Sequence, residues 1–225
     1  MPLIVEEVED EKDFDEIFTL LYAAFGEPYN SWRRFFVPTV CDTLEAAIEY
    51  TKVRNIEWWK HTTGTHWVKV VDTDPGKIVG TAKLIIRQTG WPPRNPPKRM
   101  AYWHIEGSEE KAFTERLMME MLRFLAEEVT GPHIELGQLC VHPDHRRRGV
   151  GRLLVSWGIR RSELLRLEFY SMSVPFAVPI FQKYGFCKLQ CLDPDMATSD
   201  PSEKWKEYAA DDLRLFLMHR SEGHD

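Results

Sequence analysis

The sequence predicts an α/β fold built on a mixed, mostly antiparallel central sheet with flanking helices. Three observations carry this. Strand-like and helix-spaced segments follow one another in the order β-α-α-β-β-α-β-α-β-α-β-β. Asp72-Thr73-Asp74-Pro75-Gly76 joins two strand-like runs as a hairpin, which makes that part of the sheet antiparallel. Leu136–Leu154 reads as strand, basic loop, glycine-rich turn and helix, and a helical crossover of this kind brings parallel pairing.

Each element has its own signal. Leu3-Ile4-Val5 before Glu6-Glu7 forms a short opening strand. Phe14, Ile17, Phe18, Leu21 and Phe25 recur at helical spacing, and Gly26 and Pro28 end that helix. Asn30 to Pro38, with Trp32, Phe35 and Phe36, reads as an aromatic-rich connection. Asp42-Thr43-Leu44-Glu45 has the form of a capping box opened by Asp, starting a polar surface helix that runs to about Lys60. Trp67–Val71 and Lys77–Arg87 are strands. Gly90–Pro97, with four prolines, is a mobile or inserted loop. Ser108 caps a helix whose first turn holds Glu109 and Glu110, where negative charge suits the dipole. Its Phe113, Leu117, Met121, Phe124 and Leu125 form a buried stripe. After the central unit, Leu164–Met172 is expected as a strand, with a kink or splay near Pro175. Pro179 opens a helix and Gly185 closes it. Phe186–Leu192 and Leu213–Met218 are the last strands, separated by the polar loop Asp193–Ser202 and a short turn around Trp205.

Composition sets the bounds. With 43% apolar and 12% aromatic residues the 225-residue chain can fill a core, and a single domain over residues 1–225 is expected. No apolar run approaches the roughly 18 residues of a membrane span. Met1 to Glu16 turns acidic after five residues, unlike a secretory or mitochondrial leader. Cys41, Cys140, Cys187 and Cys191 include no CxxC pair, so reduced thiols in a cytoplasmic or nuclear protein are expected. The net charge of −6 speaks against nucleic acid as a partner and suits a cationic substrate.

The central unit carries the chemistry. Ile134–Val141 has strand character, and His142-Pro143-Asp144-His145 stops it, since Pro143 has no N–H to give a ladder. Val150, Leu153, Leu154 and Trp157 then mark one helical face. The first turn of a helix leaves backbone N–H groups without partners and carries partial positive charge. Gly149 and Gly151 would let a phosphate reach that backbone with no Cβ in the way. Arg146, Arg147 and Arg148 add charge and bidentate hydrogen bonding. The unit is suited to a polyphosphate. It is not a Walker A loop, which needs Lys-Ser/Thr after its second glycine, and Leu154 stands where a dinucleotide fingerprint needs a third glycine. A dinucleotide-dependent oxidoreductase is therefore the remote reading. His142, Asp144 and His145 read as a turn, because a metal site needs three or four converging ligands.

Arg146-x-x-Gly149-x-Gly151, after a strand and a proline-containing loop, resembles motif A of the GNAT acetyltransferase superfamily. Ala177–Phe186, with its Gly185-Phe186 step, resembles a late helix of the same family, and the element order matches from Leu3 to Met218. The resemblance implies acetyl-CoA as cosubstrate, with its pyrophosphate on Arg146, Arg147, Arg148, Gly149, Val150, Gly151 and Arg152. It implies splayed central strands, with the backbone of Leu139, Cys140 and Val141 holding the pantetheine arm and the N–H of Cys140 or Val141 facing the oxyanion. It implies transfer by direct attack to a primary amine of a small molecule or a peptide, by a monomer or homodimer.

An alkylamine, with a pKa of about 10.4, must lose a proton before it attacks. Glu135, fourteen residues before Gly149, stands where some relatives carry a catalytic glutamate. It shares a strand face with Gly137, Leu139 and Val141 unless a bulge intervenes. A water chain, Gln138 and His104 are the other candidates. Phe181 lies beside the cofactor where many relatives have a tyrosine that protonates the leaving thiolate, a task phenylalanine cannot do. Tyr184, one turn on at i+3, is the alternative acid. The missing hydroxyl also admits a non-catalytic acyl-CoA-binding or regulatory module. Trp32, Trp58-Trp59, Trp91 and Trp103 are candidate walls of an acceptor pocket.

Overall fold

The seven expected strands form one sheet in the order β1-β2-β3-β4-β5-β7-β6, in a computed structural model that describes residues 2–26, 30–89 and 100–221. Pro28, Trp91 and the Gly90–Pro97 loop lie outside the described residues. The strands are β1 (Leu3–Glu7), β2 (Thr65–Asp72), β3 (Lys77–Arg87), β4 (His133–Val141), β5 (Glu168–Ser173), β6 (Cys187–Leu192) and β7 (Leu215–Arg220). Every neighbouring pair is antiparallel except β4 and β5, which are parallel. A short link can only reverse the chain, whereas the helix between β4 and β5 returns it in the same direction.

The helices are α1 (Asp13–Ala24), α2 (Ser31–Phe36), α3 (Leu44–His61), α4 (Glu109–Glu128), α5 (Val150–Leu165), α6 (Val178–Gln182) and α7 (Glu203–Ala209). Two short ones correct the reading of residues 30–38 and of the segment around Trp205 as irregular. Both have a polar N-cap: Asn30 accepts from Trp32 N–H, and Ser202 accepts from Trp205 N–H. The cap of α3 also moves by one residue from the expected Asp42, since Thr43 accepts from Ala46 N–H. The expected strand over Leu164–Met172 begins at Glu168. Helix α5 keeps Leu164 and Leu165, with Leu164 73% exposed, and closes on Arg166 in the left-handed conformation at φ 53°.

One face of the sheet buries α5 and α6: Val150, Leu154 and Val155 meet Val68, Val70, Leu84, Ile134 and Leu136. The other face holds α1 and α3 over Trp67 and Cys140, and α2, α4 and α7 pack near Leu192 and Leu215. Helix α5 lies unusually close to the sheet. A Cβ on Gly158 would stand 2.7 Å from Phe169 Cζ and 2.9 Å from Leu84 Cδ2. Phe169 is fully buried and braced by Phe186 at 5.1 Å, so its ring has no room to yield. Gly158→Ala gains up to about 1 kcal/mol in helix propensity and loses about 1–3 kcal/mol to overpacking. We expect a net loss of stability, measured as a lower urea midpoint with an unchanged slope.

Candidate active site

Beyond Leu136 the two central strands part. Pairing of β4 with β5 runs from His133↔Glu168 to Leu136↔Ser171 and stops, although β4 continues to Val141 alongside β3. There the Ser171 hydroxyl donates to Leu136 O at 3.2 Å. At the same point β4 carries a bulge. Lys83 pairs with Gln138 and Leu84 with Leu136, so Gly137 has no counterpart. An inserted residue bends a strand and exchanges the faces of the side chains that follow it.

That exchange corrects the expected alignment of Glu135 with Leu139 and Val141. Ile134, Leu136, Leu139 and Val141 all pack on the α5 side. Cys140 lies in the α1 core, so Glu135, Gln138 and Cys140 share the face toward α1 and α3. The backbone alternates too. His142 N–H donates to Val79 O at 3.0 Å, which turns the N–H and C=O of Cys140 toward Thr81 on β3. By the same alternation Leu139 and Val141 turn theirs away from β3, into the gap left by β5. Of the two candidate oxyanion donors, Val141 faces the gap and Cys140 does not. Burial pushes the Cys140 thiol up to about 12, so no thiolate forms there at neutral pH.

The basic loop lies at the end of β4. Pro143–His145 forms one 3-10 turn, Arg147 and Gly149 are left-handed at φ 61° and 87°, and α5 begins at Val150. Leu153 N–H donates to Gly149 O at 3.0 Å, so the first intrahelical bond starts there and the N–H groups of Val150, Gly151 and Arg152 precede it. Nothing crowds this turn. A Cβ on Gly149 would meet no atom within 4 Å, and one on Gly151 would meet only Val141 Cγ2 at 3.8 Å.

The four arginines divide into two kinds. Arg146 Nη2 donates to Ala24 O at the end of α1, at 2.9 Å. Arg148 Nη2 donates to Asp72 Oδ2 on the β2–β3 hairpin at 2.8 Å, and its Nη1 meets His145. These two side chains tie the loop to α1 and to the β2–β3 hairpin. Arg147 and Arg152 are exposed at the turn.

Glu135 Oε2 is paired with Arg87 Nη2 at 3.2 Å, and its side chain is 29% exposed. His104 is buried; Nε2 donates to Phe35 O, and Nδ1 meets the Thr39 hydroxyl. It braces α2 and is not placed as a base. Phe181 is buried against Phe186 at 5.4 Å, and Tyr184 packs on the same core. Trp32 and Trp103 are buried and Trp59 leans on Phe14, whereas Trp58 is 38% exposed on the Glu135 face. Two residues there escaped the sequence reading. Lys83 on β3 has its Nζ 4.6 Å from the Trp58 ring, and Arg54 on α3 stands 4.4 Å from the Trp103 ring. A lone lysine between Ala82 and Leu84 was the available signal for the first.

The Asp72–Arg148 contact gives a pH-dependent prediction. The Arg148 hydrogen bond holds the Asp72 carboxyl below its ordinary 3.8. A depressed carboxylate contributes stability above its unfolded-state value and loses it as pH falls toward the folded one. Wild type should therefore melt above Asp72→Asn at pH 7, and the gap in Tm should close below about pH 4. Thermal melts across that range test this.

Solved structures with the same fold include acetyltransferases. Similar chains include a histone acetyltransferase HPA2 and related acetyltransferase from Corynebacterium glutamicum, with 16% identity and a TM-score of 0.59 over 100% of this chain and 99% of that one. Mosquito arylalkylamine N-acetyltransferase like 5b has 12% identity and a TM-score of 0.56, covering 97% and 99%. Naa20 of Chaetomium thermophilum, in complex with a bisubstrate analogue, has 13% identity and a TM-score of 0.54, covering 97% and 86%. No curated protein sequence matches the chain. The model of the acetyltransferase (GNAT) family, however, matches residues 27–186, which include the parted strands, the glycine turn and the Phe181–Phe186 segment. This chain belongs to the acetyltransferase (GNAT) family.

Proposed function

We propose that the protein is a single-domain N-acetyltransferase that moves an acetyl group from acetyl-CoA to a primary amine of a small molecule or peptide. The amine attacks the thioester directly in a ternary complex. The observation that carries this reading is the meeting, at the end of β4, of two sets of unused backbone donors. One set lies in the gap beside β5, at Leu139 and Val141. The other is the first turn of α5, opened by Gly149 and Gly151. A thioester on a long polar arm with a pyrophosphate needs both.

In this reading the N–H groups from Arg147 to Arg152 take the pyrophosphate, helped by the exposed side chains of Arg147 and Arg152. Arg146 and Arg148 keep the loop in shape. Leu139 and Val141 hold the arm, and Val141 N–H donates to the oxygen that becomes negative as the amine adds. Glu135 accepts the ammonium proton, and Arg87 fixes the position of its carboxylate. The thiol of Cys140, held protonated by burial, gives no acyl-cysteine route, which supports direct attack. CoA departs as a thiolate, a fair leaving group with a thiol pKa of about 8.5. Tyr184 is the phenol assigned to protonate it, since Phe181 has none. The alternative of a non-catalytic acyl-CoA-binding module rests on Phe181 alone.

Wild type should bind acetyl-CoA in the low micromolar range or tighter by calorimetry. Gly151→Val should abolish that binding with circular dichroism unchanged, because the branched side chain fills the phosphate position and meets only Val141. Unchanged affinity would sink the assignment of the turn.

Glu135→Gln keeps the size of the side chain and removes its basicity. Acetyl-CoA affinity should persist while turnover falls roughly 10²–10⁴-fold at pH 7. The deficit should shrink toward the amine pKa, where free amine no longer needs a base. Wild-type turnover at pH 7 would give the role to water.

A further inference from the structure

Two cations on the Glu135 face rest on aromatic rings. Lys83 Nζ lies 4.6 Å from the Trp58 ring and 5.7 Å from that of Trp67. The Arg54 guanidinium lies 4.4 Å from the Trp103 ring and 5.9 Å from that of Tyr102. Neither makes an ion pair among the described residues, and Arg54 Nη1 is buried without a hydrogen-bond acceptor. Glu135 is shared with Arg87. Buried donors in folded proteins are almost always matched, so an orphan one marks a missing acceptor.

The placement says where that acceptor belongs. Lys83 pairs with Gln138, which follows Glu135 on the same face of β4 across the bulge, and Trp58 stands on α3, one turn after Arg54. Lys83 thus stands beside the carboxylate assigned to deprotonate the incoming amine, and the charge of Arg54 acts on Lys83. Burial first lowers Lys83, the charge of Glu135 opposes this, and the charges of Arg54 and Arg87 lower it again, to about 8, which still leaves it mainly protonated at neutral pH. A plain ammonium entering such a face is repelled. An amine with an anionic group turned toward Lys83 and Arg54 is not.

We propose that the acceptor is an amine that also carries an oxyanion, a carboxylate or a phosphate, and that Arg54 and Lys83 bind this group beside Glu135. The inference rests on the acetyl-transfer reading. Aromatic rings under both cations suit the task, because they attract positive charge without neutralising it and leave the outward donors for a ligand. The guanidinium offers a planar fork that matches either oxyanion.

The test uses acetyl-CoA and three small amines: propylamine, β-alanine and phosphoethanolamine. Thiol release should give kcat/KM higher for β-alanine or phosphoethanolamine than for propylamine by about tenfold or more. The better of the two identifies the oxyanion. Arg54→Met should reduce that preference by about tenfold through the acceptor KM, and Arg54→Lys should restore part of it. Lys83→Met gives a second reading if Arg54→Met fails to fold. Propylamine equal to or better than both charged amines overturns the proposal, as does a preference that survives both methionine variants. If no amine turns over, tryptophan fluorescence of the CoA-loaded protein separates the two ideas. Saturable binding of an oxyanion amine that Arg54→Met weakens keeps the subsite and removes the acetyl-transfer reading. No binding of either charged amine removes the subsite.

Discussion

Past Leu136, strand β4 keeps its partner on one side and loses it on the other, and the surrounding structure answers to that loss. Backbone N–H and C=O groups inside a protein are held in pairs, and two residues facing a gap in a sheet are an exception that needs a ligand or water. The bulge at Gly137 bends the strand at the place where β5 leaves. It also moves Glu135 onto the face of α1 and α3, while Leu139 and Val141 hold to the α5 side. A thioester carbonyl in the gap would then have a hydrogen-bond donor beside it and a carboxylate on the neighbouring face. One inserted residue accounts for both.

Charge around the loop works mainly as mooring. A run of arginines before a helix invites assignment to phosphate, and two of them are engaged with Ala24 O and Asp72. Asp72 is fully buried, and an ion pair there fixes the loop to the β2–β3 hairpin with a directional hydrogen bond. Preorganisation of this kind spares the loop from being ordered by its ligand, a cost that otherwise comes out of affinity.

Much of this was legible in the sequence because several signals agreed. The strand, proline-containing stop, glycine turn and helix at 134–157 each obey a different local rule, and each rule returned the same element. The errors came where one signal had to choose alone. Leu164-Leu165 before Leu167 suits a strand as well as a helix end, and only the left-handed Arg166 decides it. Gly137 was a visible warning of a bulge, yet whether a strand glycine is bulged depends on the pairing register, which belongs to β3. The partners of Arg146 and Arg148 sit 122 and 76 positions away in sequence, beyond any local pattern. Lys83 and Arg54 were missed for the same reason, as their meaning lies in aromatic rings supplied by other elements.

The parallel junction between β4 and β5 has a further consequence, for the order in which the chain assembles. Strands β1 to β4 pair antiparallel in sequence order, and β7 pairs antiparallel with β5 and β6. Within the sheet the two halves join through four residue pairs. Parallel pairing closes a long loop before any hydrogen bond rewards it, so this seam is expected to form after the antiparallel pairs. The proposed reaction is lodged in that seam, where the fewest residues are paired and a bound arm of acetyl-CoA would take over part of the work of a missing strand.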